Sequence, residues 1–191
     1  MVPMPLSEAE GALLLVTARQ SIEYGLSHNR ALPVTPAAHP PLDKPGASFV
    51  TLHRHGELRG CIGSLQASRP MLEDVAENAY AAAFRDPRFI PLQANELDEI
   101  DIAVSVLSEP EALHFDDEQE LLAQLRPGID GLILEDDGKR GTFLPSVWES
   151  LPAKTEFLAH LKRKAGLPAD HWSDSLKMWR YTTETFGEPA E

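Results

Sequence analysis

Sixteen prolines punctuate this 191-residue chain, and they limit how long any helix or strand can run. At about 8% of residues against a usual ~5%, they cut the sequence into many short elements. The reason is local. Proline lacks the backbone N–H and drives the residue before it out of the α region. Between the breaks the hydrophobic periods are clear. Ser7 and Glu10 have capping-box spacing and open a helix predicted to reach Tyr24, with Gly25 just past its end. Leu72, Val75, Ala76, Ala79, Tyr80 and Ala83 follow helical spacing, and Asp86-Pro87 stops that helix. Ile100, Ile102, Val104 and Val106 alternate as in a strand. The runs 48–54 and 58–65 read as one hairpin, and 131–135 with 140–144 as a second. Further helices are expected from Asp116 to Leu125 and from Lys154 to Ala165, a last strand at 176–183, and a frayed tail over 187–191. Helices and strands do not alternate regularly. The predicted class is therefore α+β with antiparallel hairpins, the first hairpin sharing one sheet with strands 100–107 and 176–183.

Charge and cysteine content narrow the function. Seventeen Lys+Arg against thirty Asp+Glu leave a net charge of −13. A chain this acidic is unsuited to sequence-independent nucleic-acid binding, which works by neutralising phosphates, and unsuited to an anionic membrane surface. No stretch approaches the ~20 apolar residues of a membrane span. The first residues lack the basic segment of a secretion signal. Cys61 is the single cysteine, so an intramolecular disulfide cannot form, which suits the reducing cytoplasm where the protein is expected.

The densest chemistry lies in Leu58-Arg59-Gly60-Cys61-Ile62-Gly63. Strand periodicity places Arg59 and Cys61 on one face, roughly 7 Å apart. A neighbouring cation favours the thiolate, the nucleophilic form of cysteine. Gly60 and Gly63 mark a close backbone approach, a bulge or a ligand. The hairpin register decides what else joins them. A two-residue His55-Gly56 loop sets His53 opposite to Cys61 in facing. A three-residue loop instead gathers Phe49, Thr51, His53, Arg59 and Cys61 on one face and Val50, Leu52, Leu58 and Ile62 on the other. Segregation of polar from apolar side chains favours the three-residue loop. Two further turns, Asp86-Pro87-Arg88-Phe89 and Gly141-Thr142-Phe143-Leu144-Pro145, are expected to wall a cleft with Arg88, Phe89 and Phe143. His53 and His55 form an H-x-H pair without the third and fourth ligands a metal needs, so no metal is expected. No cofactor motif is present either.

These segments together resemble the AMMECR family. The likeness rests on Leu58–Gly63, on Phe49-Val50-Thr51-Leu52 ahead of it, and on the 86–89 and 141–145 turns; it runs from the first helix to Tyr181. His53 and His55 lie outside the family pattern. The resemblance implies two subdomains, each an antiparallel sheet with flanking helices. The larger would hold residues 1–109 and 171–191, and the smaller would be an insertion at 110–170. The signature strand would face a cleft between them. Bacterial relatives of this kind resemble protein A of the AmmeMemoRadiSam set, which implies a Memo-like protein and a radical S-adenosylmethionine enzyme as partners. Two functions fit. One is an enzyme in which Cys61 is the nucleophile or general acid/base and Arg59 binds an anionic group, with Gly60, Gly63, Thr51, His53, Arg88, Phe89 and Phe143 lining the site. The other is a non-catalytic accessory protein that binds a peptide or partner, since no base with its own orienting group accompanies the thiol.

Overall fold

The computed structural model describes residues 1–189, and the last two residues of the expected tail lie outside them. The chain divides into two compact units, one comprising Met1–Ser108 with the segment from Glu184 onward, the other Glu109–Thr183.

In the first unit, helix α1 (Glu8–His28) begins with the expected capping box. Ser7 accepts from the Glu10 amide, and the Glu10 carboxylate accepts from the Ser7 amide at 2.6 Å. The helix continues past Gly25 and ends at Asn29, whose φ of 53° is left-handed. Gly25 instead makes room for a neighbouring helix, since a Cβ there would lie 2.6 Å from the Tyr80 ring. Strands β1 (Pro45–Arg54), β2 (Glu57–Gly63), β3 (Arg69–Pro70), β4 (Ile100–Leu107) and β9 (Thr183–Gly187) form one sheet in the order β2-β1-β4-β9, with β3 on β1. Helix α2 (Met71–Phe84), which carries Tyr80, follows β3 directly. Leu14, Ala18 and Ile22 of α1 and Val75, Ala79 and Ala82 of α2 pack on Val50, Leu52, Ile102, Val104 and Val106. The alternation in β4 is thus a one-sided sheet, apolar toward the helices.

Buried Asp74 fastens α2 to this sheet. Its carboxylate accepts from the Ser48 amide (2.9 Å), the Ser48 hydroxyl (2.6 Å) and Asn78 (3.0 Å) on one oxygen, and from Ser64 (2.9 Å) and Arg69 (2.9 Å) on the other. Donors on both oxygens offset the desolvation of the buried carboxylate and fix one packing of helix on strand.

The second unit contains β5 (Glu111–Ala112), α3 (Glu118–Gln124), β6 (Gly131–Asp136), β7 (Lys139–Phe143), α4 (Lys154–Lys164) and β8 (Lys177–Tyr181). Its sheet runs β5-β8-β6-β7. Leu132, Leu134 and Met178 pack against Trp148, Phe157, Leu158 and Leu161. The fold is therefore α+β with two antiparallel sheets, the second hairpin in its own sheet. One expectation is corrected. The strand foreseen at 176–183 does not join the first sheet: β8 pairs with β6 and β5, and only β9, beyond Thr182, returns to lie beside β4. The chain likewise rejoins the first unit at Glu184, not at 171. Gly187 closes β9, and Glu188 is gripped by Arg19, so the ordered chain extends into the expected tail. Among the described residues no helix is long and apolar enough to cross a membrane.

A Cβ on Gly60 would meet the Ala82 carbonyl oxygen of α2 at 2.1 Å. That neighbour is helix backbone and cannot swing away. Gly60→Ala is expected to cost roughly 1–3 kcal/mol of stability or more, as overpacking does, read from urea unfolding midpoints at unchanged slope.

Candidate functional site

The first hairpin resolves its register in an unforeseen way. Arg54 pairs with Glu57 across a two-residue turn in which His55 (φ 52°) and Gly56 (φ 81°) are both left-handed, the pattern a tight hairpin favours. A bulge then intervenes, because His53 faces Leu58 while Leu52 faces Gly60, leaving Arg59 as the extra residue. Beyond the bulge, Thr51 pairs with Cys61 and Val50 with Ile62. The loop is thus shorter than expected, but the pairing of Thr51 with Cys61 is the one that polar–apolar segregation selects.

The bulge changes the membership of the outer face. Directly paired residues share a face, so Thr51, His53, Leu58 and Cys61 stand together, and Ala103 and Asp101 extend that face through their pairing with Thr51 and His53. Phe49 joins it opposite Gly63, where a Cβ would sit 2.2 Å from the Phe49 ring. Both signature glycines therefore answer to packing, Gly60 under α2 and Gly63 under Phe49.

Arg59 is corrected from free anion binder to buried ion-pair partner. Its Nε donates to Glu96 Oε1 at 2.9 Å, and its Nη2 donates to Glu96 Oε2 at 3.1 Å and to the Ile90 carbonyl at 2.9 Å. Only 8% of the residue is exposed. Glu96 also accepts from Arg54 (3.0 Å) and from the Gln93 amide (2.8 Å). The Arg59 hydrogen bond, followed by the Gln93 amide and the charges of Arg59 and Arg54, holds the Glu96 carboxyl below its usual range against the opposing effect of burial. Phe89 lies 5.9 Å from the Arg59 guanidinium and 5.5 Å from that of Arg88.

Cys61 is half-buried, and its Sγ lies 3.4 Å from Thr51 Oγ1, the sole side-chain hydrogen-bond partner of the thiol among the described residues. Its backbone is held by the Asp86–Arg88 turn. The Cys61 amide donates to Asp86 Oδ2 (3.0 Å), and Arg88 Nη2 donates to the Cys61 carbonyl (3.4 Å). Since β2 is an edge strand, this carboxylate and guanidinium supply the acceptor and donor that a neighbouring strand would offer. Arg88 further binds Asp86 through Nε (3.0 Å) and Nη2 (2.7 Å). Those bonds, with the amides of Cys61 and Arg88, hold the Asp86 carboxyl far below its usual range despite burial. The Arg88 guanidinium is held above its usual range, first by the Asp86 hydrogen bond and then by the Asp86 charge, against the opposing effect of burial. Its side chain remains 54% exposed, and Nη1 has no described partner.

His53 makes no described hydrogen bond to the thiol, and His55 faces Glu99 at 3.4 Å. Phe143 lies in the second unit, edge-on to Phe157 with centroids 5.3 Å apart. The rest of its motif is structural too. Thr142 donates to the Leu132 carbonyl (2.8 Å), and a Cβ on Gly141 would strike the Ala165 backbone at 2.9 Å. Among the described residues no three His, Cys, Asp or Glu side chains converge as metal ligands. Sequence reading missed Glu96 and Asp86 as partners; proximity of Asp86 to the Pro87 break was the one available signal.

Removing Arg59 leaves a buried carboxylate short of its main partner, a change that costs about 3–5 kcal/mol in fully buried pairs. Arg54 still reaches Glu96, so Arg59→Ala is expected near the lower end, about 3 kcal/mol, measured by denaturant unfolding. An anion-binding surface arginine would instead leave the midpoint unchanged.

The family model described as AMMECR1 matches residues 15–186. A protein of Methanothermobacter thermautotrophicus is 37% identical over 190 residues, covering 96% of this chain and 97% of its own. A Saccharolobus solfataricus protein is 41% identical over 176 residues, covering 89% and 77% of the two chains. The crystal structure of the uncharacterised protein PH0010 of Pyrococcus horikoshii superimposes with a TM-score of 0.86 at 34% identity, over 96% of this chain and 93% of that one. With the family model spanning residues 15–186 and relatives 37% and 41% identical over most of its length, the chain belongs to the AMMECR1 family.

Proposed function

We propose that the protein is an enzyme whose Cys61 thiol acts as nucleophile or general acid/base on a small or peptide-like substrate, with Arg88 holding the substrate's negative group. One observation carries this reading. The same turn that fixes the Cys61 backbone presents Arg88, whose side chain is 54% exposed and whose guanidinium has one nitrogen free of described partners. Asp86 occupies one side of Arg88, and the open Nη1 can donate to a carboxylate or phosphate oxygen. Thr51 offers a hydroxyl to orient the thiol. The thiol first gives its proton to solvent; the thiolate then bonds to an electrophilic centre of the bound anion as the bond to the leaving group breaks, and the leaving group departs with that electron pair and takes a proton from solvent. A reducing cytoplasm keeps the sulfur available. Association with a Memo-like protein and a radical S-adenosylmethionine enzyme belongs to this reading through the family resemblance, and co-purification tests it.

A second reading, non-catalytic binding of a peptide or partner protein, draws on a specific feature. No imidazole or carboxylate among the described residues hydrogen-bonds the thiol, whereas nucleophilic cysteines generally have such a base.

Alkylation separates the two, and the single cysteine makes it clean. Neutral iodoacetamide reports thiol reactivity; anionic iodoacetate reports the cation beside it. The enzyme reading predicts prompt, pH-dependent reaction near neutrality. It also predicts an iodoacetate-to-iodoacetamide rate ratio that falls about fivefold in Arg88→Ala, as expected for one screened charge near 5 Å. Arg88→Lys should restore much of the ratio. A thiol inert to both reagents supports the binding role, and an unchanged ratio removes Arg88 from anion recognition.

A further inference from the structure

On the first unit, the chain leaving α1 and the outer side of α2 enclose a depression of about 420 Å³, within the range of small-ligand sites. Its charged lining is unusual for this molecule. Arg30 and Arg85 both line it, and neither has a carboxylate within 4.0 Å among the described residues, although the chain has thirty acidic side chains to seventeen basic ones. Each guanidinium instead rests against a tyrosine: Arg30 lies 5.8 Å from the Tyr24 ring centre and donates to its hydroxyl at 3.0 Å, and Arg85 lies 5.1 Å from the Tyr80 ring centre. Glu73 and Glu77 line the same depression, also without described partners. They are one turn apart on α2, and Tyr80 falls on the same helix face.

Tyr80 adds a hydroxyl to the same lining. It is only 6% exposed and lines the depression, yet its hydroxyl has no described hydrogen-bond partner. Among the described residues the enclosed side-chain atoms left without a partner are Asp43 Oδ1 and Arg59 Nη1, so the Tyr80 oxygen is not sealed away and reaches the surface. There it can donate to a bound oxygen in place of solvent. Leu32, Pro33 and Val34 complete the wall with apolar surface.

We infer that this depression binds a small zwitterion of the α-amino acid or short-peptide type. The carboxylate meets Arg30, Arg85 and the Tyr80 hydroxyl, the ammonium meets Glu73 and Glu77, and the side chain lies along Leu32, Pro33 and Val34. A simple anion would be held by the arginines and repelled by the glutamates; a simple amine would face the reverse. Only a ligand bearing both charges satisfies both pairs. The site is separate from Cys61 and stands independently of the enzyme reading.

Titration calorimetry on the full chain tests this with four probes: L-leucine, isoamylamine (no carboxylate), 4-methylpentanoate (no ammonium) and inorganic phosphate. The expected result is saturable binding of L-leucine below about 10 mM and at least tenfold weaker binding of the other three. Arg30→Ala with Arg85→Ala, and separately Glu73→Gln with Glu77→Gln, should each weaken L-leucine at least about tenfold while thermal unfolding stays unchanged, since these side chains are largely solvated. Phosphate or 4-methylpentanoate binding as tightly as leucine would reduce the site to an anion patch and overturn the inference. So would absence of saturable leucine binding, or leucine binding indifferent to both double variants.

Discussion

The Asp86 carboxylate organises the region around the signature strand. It is buried, it accepts the amide of Cys61, and it holds the guanidinium that covers the Cys61 carbonyl. Both backbone groups that an edge strand would leave unpaired at this residue are thereby satisfied without another strand. The arrangement depends on Gly60. With no Cβ between β2 and the Ala82 carbonyl, the last turn of α2 comes close enough for Asp86, just past the helix end, to reach the next residue of the strand. Pro87 stops the helix there and turns Arg88 back toward Cys61. Glycine, helix end, carboxylate, guanidinium and thiol thus form a single chain of dependence.

Buried carboxylates recur as fasteners elsewhere. Asp74 ties α2 to β1, and Glu96 ties Arg59 and Arg54 beneath the hairpin. In the second unit Asp136 accepts from His171 (2.6 Å), Ser173 (2.5 Å) and Ser175 (2.6 Å), pinning the loop that leads into β8. The His171 hydrogen bond and then the two serines hold that carboxyl far below its usual range. A strongly acidic chain therefore places several of its carboxylates inside, each surrounded by donors, which is the condition under which burial of charge is tolerated.

Much of this was legible in the sequence, where local rules act alone. Ser7 with Glu10 fixed the start of α1, the Ile100–Val106 alternation marked β4, and the turn residues 136–138 located the second hairpin. The errors came where a distant partner overrode a local signal. Gly25 looked like a helix end and is a contact for Tyr80. The strand foreseen at 176–183 held no mark of the switch from one sheet to the other around Thr182. At the site, periodicity recovered the pairing of Thr51 with Cys61 but gave no hint of the bulge, because a bulge is stabilised by what receives the displaced side chain. Here that is Glu96, far away in sequence. Arg59 therefore read as a ligand-binding cation, while the exposed cation belongs to the 86–89 turn.

Hydrogen exchange at the Cys61 amide tests the central claim most directly, because that proton is the one Asp86 accepts. In the wild-type chain it should exchange slowly for an edge-strand amide. In Asp86→Ala it should lose most of its protection, while the amides of Val50 and Val104 in the sheet interior keep theirs. Equal protection of Cys61 in the two proteins would contradict the account, since β2 would then be held by something other than the Asp86–Arg88 pair.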